Sequence, residues 1–203
     1  MGINIASYWP LPIIGRQVVN LFDCGIQHTY SHQLDGSIKL REEQTVAGKP
    51  NVWMDDWKYH YDPVRGILES EDLYPKTGVY KYFWWQTVKS VECLPGKEIV
   101  WGGVENIGET ISAPCVTSGI FGQYGNQAVH FIELIPIFKT KAAGSFSNVL
   151  AIEYWQSWGS APVGGGKLWL APGRGQIKAQ WSVNGVPTGF GMEVTKVSPI
   201  YIE

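Results

Sequence analysis

Two of the histidines, His28 and His32, are four residues apart, the spacing at which a helix would present both rings to one metal ion. Their surroundings, QHTYSHQLDG, are instead typical of a strand that runs into a turn. The sequence offers no identifiable third ligand. We therefore expect no metal site and no cofactor, and we interpret both histidines as solvated side chains of a loop.

Carboxylates are concentrated between residues 55 and 72, where a pair of them could perform acid–base chemistry or bind calcium. Successive residues of a strand point to opposite faces, so Asp55 and Asp56 enter one pocket only if the strand is bulged. Asp55 and Glu69 are our candidates for a catalytic acid or base. The whole cluster consists of Asp55, Asp56, Asp62, Glu69, Glu71 and Asp72.

The three cysteines could supply a nucleophile or a cross-link. Cys24 with His28, or Cys115 with His130, would be the nucleophile–base pair, but neither has the local signature of a cysteine-enzyme family. The third cysteine, Cys93, completes neither a paired framework nor a Cys-x-x-Cys motif. We expect free buried thiols, or one disulfide and one free thiol in an oxidising compartment.

Aromatic side chains are the most unusual feature of the chain, with 10 Trp, 10 Tyr and 7 Phe among 203 residues. A sheet-rich core takes many of them, yet buried indole N–H groups need hydrogen-bond partners and the number exceeds what such a core requires. We expect some to line a cleft or contact face that stacks on a small molecule, a sugar or a partner. The predicted ligand-binding residues are Trp53, Trp57, Tyr59 and Trp85.

Strands must position these side chains, because the composition is rich in aromatics, glycine and proline and poor in helical patterns. We predict an all-β chain that forms one domain over residues 1–203. Its architecture is a curved antiparallel sheet, half-barrel or barrel-like. Alternation in the segment 51–62 predicts one largely aromatic strand face, made of Trp53, Asp55, Trp57, Tyr59 and Tyr61.

The pattern Pro-x-Arg-Gly occurs twice, at 63–66 and 172–175, each time after an aromatic strand. Proline fixes its own φ and glycine accepts positive φ, so both copies predict tight turns. The two prolines are separated by 109 residues, about half of the chain. This spacing indicates two similar meander halves, residues 1–102 and 120–203.

Charge and hydropathy exclude several classes of partner. The 16 basic and 18 acidic residues leave a net charge of −2, without the basic surface that nucleic acid requires. The chain contains no apolar run of about 18 residues, so the sequence does not predict a membrane-spanning helix. The first residues lack the basic start of a secretory signal, so we expect a cytoplasmic chain, with an extracytoplasmic mature chain as the alternative.

The segments SYWPL (7–11) and LWLAPGRGQIKAQW (168–181) resemble bacterial envelope β-proteins. Those proteins combine a Tyr-x-Pro-Leu opening strand with a late Ala-Pro-Gly-x-Gly hairpin. The resemblance implies a curved half-barrel similar to that of the lipoprotein carriers, which hold an apolar ligand on the concave face. Cofactor-free enzymes of small-molecule metabolism use the same kind of fold, so the fold leaves the function open.

Three functions follow as hypotheses. The first is a non-catalytic binding module that holds an apolar, aromatic or glycan ligand, or a protein partner, on an aromatic-lined face. The second is a cofactor-free cyclase or isomerase, and the third is a structural subunit of an extracellular or phage assembly. Low charge and abundant aromatics also allow a homo-oligomer.

Overall fold

The computed structural model describes residues 2–10, 15–45, 47–62, 66–73, 88–93, 99–100, 104–119, 124–158 and 163–198. The described helical segment is a four-residue 3-10 turn, Ile5–Tyr8, and no described helix is long and apolar enough to cross a membrane. The strands, in chain order, are β1 (Ile3–Asn4), β2 (Gln17–Phe22), β3 (Ile26–His32), β4 (Ile38–Gln44), β5 (Val52–Asp62), β6 (Gly66–Leu73), β7 (Val88–Cys93), β8 (Ile99–Val100), β9 (Val104–Glu105), β10 (Thr110–Gly119), β11 (Tyr124–Lys139), β12 (Ser145–Trp158), β13 (Gly164–Ala171), β14 (Gly175–Val183) and β15 (Val186–Val197).

Thirteen of these strands form one antiparallel sheet in the order β5-β4-β3-β2-β15-β14-β13-β12-β11-β10-β7-β6-β8. Strand β5 also pairs with β6, so the sheet curls round until its two sides meet. Strands β1 and β9 form a separate two-stranded sheet. The predicted all-β fold with a curved, barrel-like antiparallel sheet is therefore confirmed.

Alternation explains why these segments are strands with one buried face. In β4, Ile38 and Leu40 are buried, whereas Lys39 and Arg41, which alternate with them, are half-buried. We call the face that carries Ile38 and Leu40 the inner face. It packs into two hydrophobic clusters, one containing Trp9, Tyr30, Leu40, Tyr59, Phe131, Leu150 and Ile152, the other Phe22, Ile26, Val149, Ile177, Ala179, Met192 and Val194.

The second Pro-x-Arg-Gly copy forms the predicted tight turn between β13 and β14. Gly173 and Gly175 have φ values of +65° and +69°, a conformation that glycine adopts without steric cost. The Gly173 N–H donates to the Ser7 carbonyl, and the Arg174 guanidinium donates to the Ser198 carbonyl. The turn is thus held by both ends of the described chain. Residues 63–65 of the first copy lie outside the described residues.

A proline and the cysteines complete the description of the strands. Pro136 lies in the part of β11 beyond the last residue paired with β10, His130. This position removes no hydrogen bond of the β10–β11 ladder. Cys24 is a free, half-buried thiol, and the backbone register places Cys93 of β7 opposite Cys115 of β10.

Candidate ligand-binding site

Four buried polar residues form a continuous row across the inner face of β2, β3, β4 and β5. The register pairs Asn20 with His28, His28 with Glu42, and Glu42 with Asp55. Residues directly opposite each other in a sheet project to the same face, with Cβ atoms about 5 Å apart. We call these four residues the polar row. Their exposed fractions are 0 %, 2 %, 9 % and 6 % in that order.

Local alternation places each member of the row among core residues. Asn20 and His28 occupy the position between two inward apolar residues, Val18 and Phe22 for the first, Ile26 and Tyr30 for the second. Glu42 follows the buried Ile38 and Leu40 at the same spacing of two. Each of these three neighbouring strands therefore has a polar residue at an inward position, where its other inward residues are apolar. Burying such groups is costly unless they are hydrogen-bonded.

The row is partly satisfied by its own members and by the β13–β14 turn. His28 Nε2 lies 2.8 Å from Glu42 Oε2. Asn20 Nδ2 donates to the carbonyl oxygens of Arg174 at 2.7 Å and Gln176 at 3.1 Å. Asp55 Oδ1 accepts the backbone N–H of the next residue at 2.8 Å. The turn is therefore hydrogen-bonded to the row at Asn20, and His28 and Glu42 form a separate contact within the row.

Two atoms of the row have no hydrogen-bond partner among the described residues. They are His28 Nδ1 and Asn20 Oδ1, and both are shielded from solvent. Gln176 Nε2, on β14, is also buried and has no hydrogen-bond partner among the described residues. Each such buried atom costs about 1–3 kcal/mol of stability. A fold keeps such atoms when another group satisfies them or when they have a function.

Aromatic rings enclose the imidazole of His28. Its centroid lies 4.8 Å from that of Phe22, 6.4 Å from that of Tyr30 and 6.3 Å from that of Trp57, all in edge-on geometry. Burial raises the pKa of the Tyr30 hydroxyl well above its usual range, although the hydroxyl accepts the Gln176 N–H at 3.4 Å. Trp57 is only half-buried, so it links the row to the surface.

The predicted aromatic set is divided between the two faces of the sheet. Trp57 and Tyr59 lie on the inner face, where Tyr59 packs edge-on against Trp9 at 5.6 Å. Trp53 lies on the outer face with the Arg41 guanidinium 5.4 Å from its ring centroid, because a register shift between Glu42 and Glu43 interrupts the alternation of β5. Trp85 lies outside the described residues.

The carboxylate candidates are also separated. Asp55 belongs to the polar row, and Asp56 lies on the outer face, where Arg41 Nε and Lys39 Nζ contact its oxygens at 2.9 Å and 2.7 Å. The prediction that these neighbours face opposite sides therefore agrees with the structure. Glu69 lies in β6, with its backbone opposite Tyr59 of β5.

The interpretation of both histidines as solvated loop residues is wrong. His28 is fully buried within β3, because a residue between Ile26 and Tyr30 in a strand shares their inward face. His32 is on the same strand, and four strand residues span about 13 Å, too far for one ion to bind both rings. Within the described part of the chain, no group of three or more His, Cys, Asp or Glu side chains could hold a metal ion.

Sequence reasoning missed Asn20 and Glu42 as members of a site. The available signal was a polar residue at an inward position of three successive strands. Comparison with protein-family models, curated proteins and solved structures gives no match. The functional argument therefore rests on the geometry of the polar row.

Proposed function

We propose that the protein is a non-catalytic binding module that holds a small ligand with an aromatic or apolar body on the inner face of its curled sheet. The observation that carries the proposal is the polar row, with two unpartnered buried atoms beside a half-buried tryptophan. A ligand that satisfies these atoms recovers their desolvation cost. Its apolar body contacts Trp57, whose ring also faces His28.

The proposal agrees with the half-barrel carrier fold that the sequence resemblance implies. Binding sites of this kind are mostly apolar walls with a few fixed polar groups that orient the ligand. Phe22 and Tyr30 supply such walls, and both are core residues that the sheet holds rigidly. Cross-strand pairing holds these polar groups in place on the inner face.

The test is a matched pair of tryptophan substitutions measured with ligands recovered from the natively isolated protein by mass spectrometry. Trp57→Ala is expected to weaken binding about tenfold, because one stacked aromatic contact is worth about 1.4 kcal/mol. Trp53→Ala removes the same side chain from the opposite face and is expected to leave the affinity unchanged. If both variants lose the same affinity, or if neither variant changes the affinity, the result contradicts the proposed position of the site.

A cofactor-free cyclase or isomerase is the second candidate, and the His28–Glu42 pair favours it. A carboxylate that holds one ring nitrogen of a histidine leaves the other nitrogen to move a proton. Aromatic walls around that nitrogen would fold a reactive substrate. The discriminating experiment incubates the recovered ligand with the wild-type protein and with His28→Gln, and follows new products by mass spectrometry. If only the wild type forms product, the protein is an enzyme. If the ligand is unchanged, the protein is a binding module.

A further inference from the structure

We propose that the polar row selects a ligand whose head group is a hydrogen-bond donor with positive charge, a primary ammonium group in its simplest form. This inference rests on the proposed binding function and adds the chemical class of the ligand. It follows from the donor and acceptor character of the two unpartnered atoms and from the charge of their neighbours.

The hydrogen bonds of Asn20 fix the identity of its free atom. Its amide nitrogen lies between two backbone carbonyl oxygens, those of Arg174 and Gln176, and both of these can only accept. The two amide hydrogens are therefore used. The remaining atom, Oδ1, is an acceptor without a donor among the described residues.

The tautomer of His28 follows from Glu42 in the same way. An ionised carboxylate only accepts hydrogen bonds, so the 2.8 Å contact requires the hydrogen on Nε2. We take the imidazole to be neutral in this proposal, so that Nδ1 carries a lone pair and is an acceptor. Asn20 and His28 are directly opposite each other on adjacent strands, so two neighbouring residues of the row each have a free acceptor.

The charge of the row favours a cation over a neutral donor. Glu42, the carboxylate that contacts His28 Nε2, is 9 % exposed, and the described cations of the same strand, Lys39 and Arg41, are on the outer face and bind Asp56 there. The buried Arg174 of the β13–β14 turn directs its guanidinium to the Ser198 carbonyl. An ammonium group donates to the free acceptors, compensates the Glu42 carboxylate and interacts with aromatic faces.

The experiment compares three probes with the same phenylethyl body: 2-phenylethylamine, 2-phenylethanol and 3-phenylpropionate, titrated into the full chain by calorimetry. The amine is expected to bind at least tenfold more tightly than the alcohol, and the carboxylate to bind least, because the two acceptors and the Glu42 carboxylate repel it. Glu42→Gln keeps an acceptor for His28 but removes the charge, so it is expected to reduce the preference for the amine about tenfold. Glu43→Gln removes the same charge from the next residue, on the outer face, and is the matched control.

The outcomes separate this inference from the proposed function. Equal affinity for the three probes, or tightest binding of the carboxylate, overturns the ammonium inference and leaves the binding module in place. No binding of any probe to a protein that also carries no recovered ligand overturns both. Because the probe series is measured on the wild type, the result does not depend on whether Glu42→Gln folds.

Discussion

Replacing Gly175 with alanine is expected to destabilise the protein by about 2–5 kcal/mol. Gly175 has a φ of +69°, where an L-residue costs about 1–2 kcal/mol. A Cβ there would lie 2.8 Å from Tyr30 Cζ, closer still to the Tyr30 hydroxyl, and 3.2 Å from Pro10 Cδ. These neighbours belong to the buried core, and overpacking a core adds about 1–3 kcal/mol.

Gly173→Ala is the matched control for this prediction. Gly173 has nearly the same φ, +65°, but a Cβ there meets nothing within 4 Å. Gly173→Ala should therefore lower the free energy of unfolding only by the cost of placing alanine at a positive φ, about 1–2 kcal/mol. Urea unfolding at neutral pH, followed by tryptophan fluorescence, measures both variants. The expected difference between them is about 1–3 kcal/mol, or roughly 2–12 °C in Tm for a chain of this size.

A double variant identifies the contact. Tyr30→Phe removes the hydroxyl and leaves the ring, so Gly175→Ala should cost measurably less in that background than in the wild type. Equal destabilisation by Gly173→Ala and Gly175→Ala, or a cost that Tyr30→Phe does not change, would refute the conclusion that the turn packs on Tyr30.

Two other predictions test the core and an ion pair. Ile177→Ala should lower the free energy of unfolding by about 2–5 kcal/mol, because Ile177 is fully buried. Ile137 is 66 % exposed, so Ile137→Ala should change it by less than about 0.5 kcal/mol. Similar urea midpoints for the two variants would contradict this prediction. Burial alone would raise the pKa of Glu193, but the Lys141 N–H and the Lys178 ammonium, 3.0 Å away, outweigh it and lower that pKa below 4.5. A lowered pKa contributes stability that is present above pH 4.5 and is lost as the pH falls through the folded-state pKa. Glu193→Gln should therefore lower the urea midpoint at pH 7, and the gap to the wild type should narrow as the pH is lowered below 4.5; a constant gap would contradict it.

Local patterns predicted much of the fold. In β4 the alternation of buried Ile38 and Leu40 with half-buried Lys39 is legible in the sequence itself, and so is the Asp35-Gly36 turn before it, where the Gly36 N–H donates to Gln33 O. The Ala-Pro-Gly-Arg-Gly segment was predictable as a hairpin because proline and two glycines favour its φ angles locally, although contacts with Ser7 and Ser198 also hold it. These features depend on neighbours in sequence, which is why the sequence contains enough information to predict them.

The site depended on register, which the sequence does not express directly. Asn20, His28 and Glu42 meet only because β2, β3 and β4 pair in one particular alignment. The register shift beside Glu43 moved Trp53 to the outer face, and no residue type there signals a shift. Both results come from contacts between strands, and therefore pattern reading within a strand grouped Trp53 wrongly with Trp57.

The most direct test of the account measures the nitrogen-15 resonances of the His28 imidazole while 2-phenylethylamine is added. We predict that the Nδ1 resonance shifts until binding is saturated, as Nδ1 begins to accept a hydrogen bond, while Nε2 stays bonded to Glu42. Binding of the amine without any change at His28 would contradict the assignment of the polar row as the binding site.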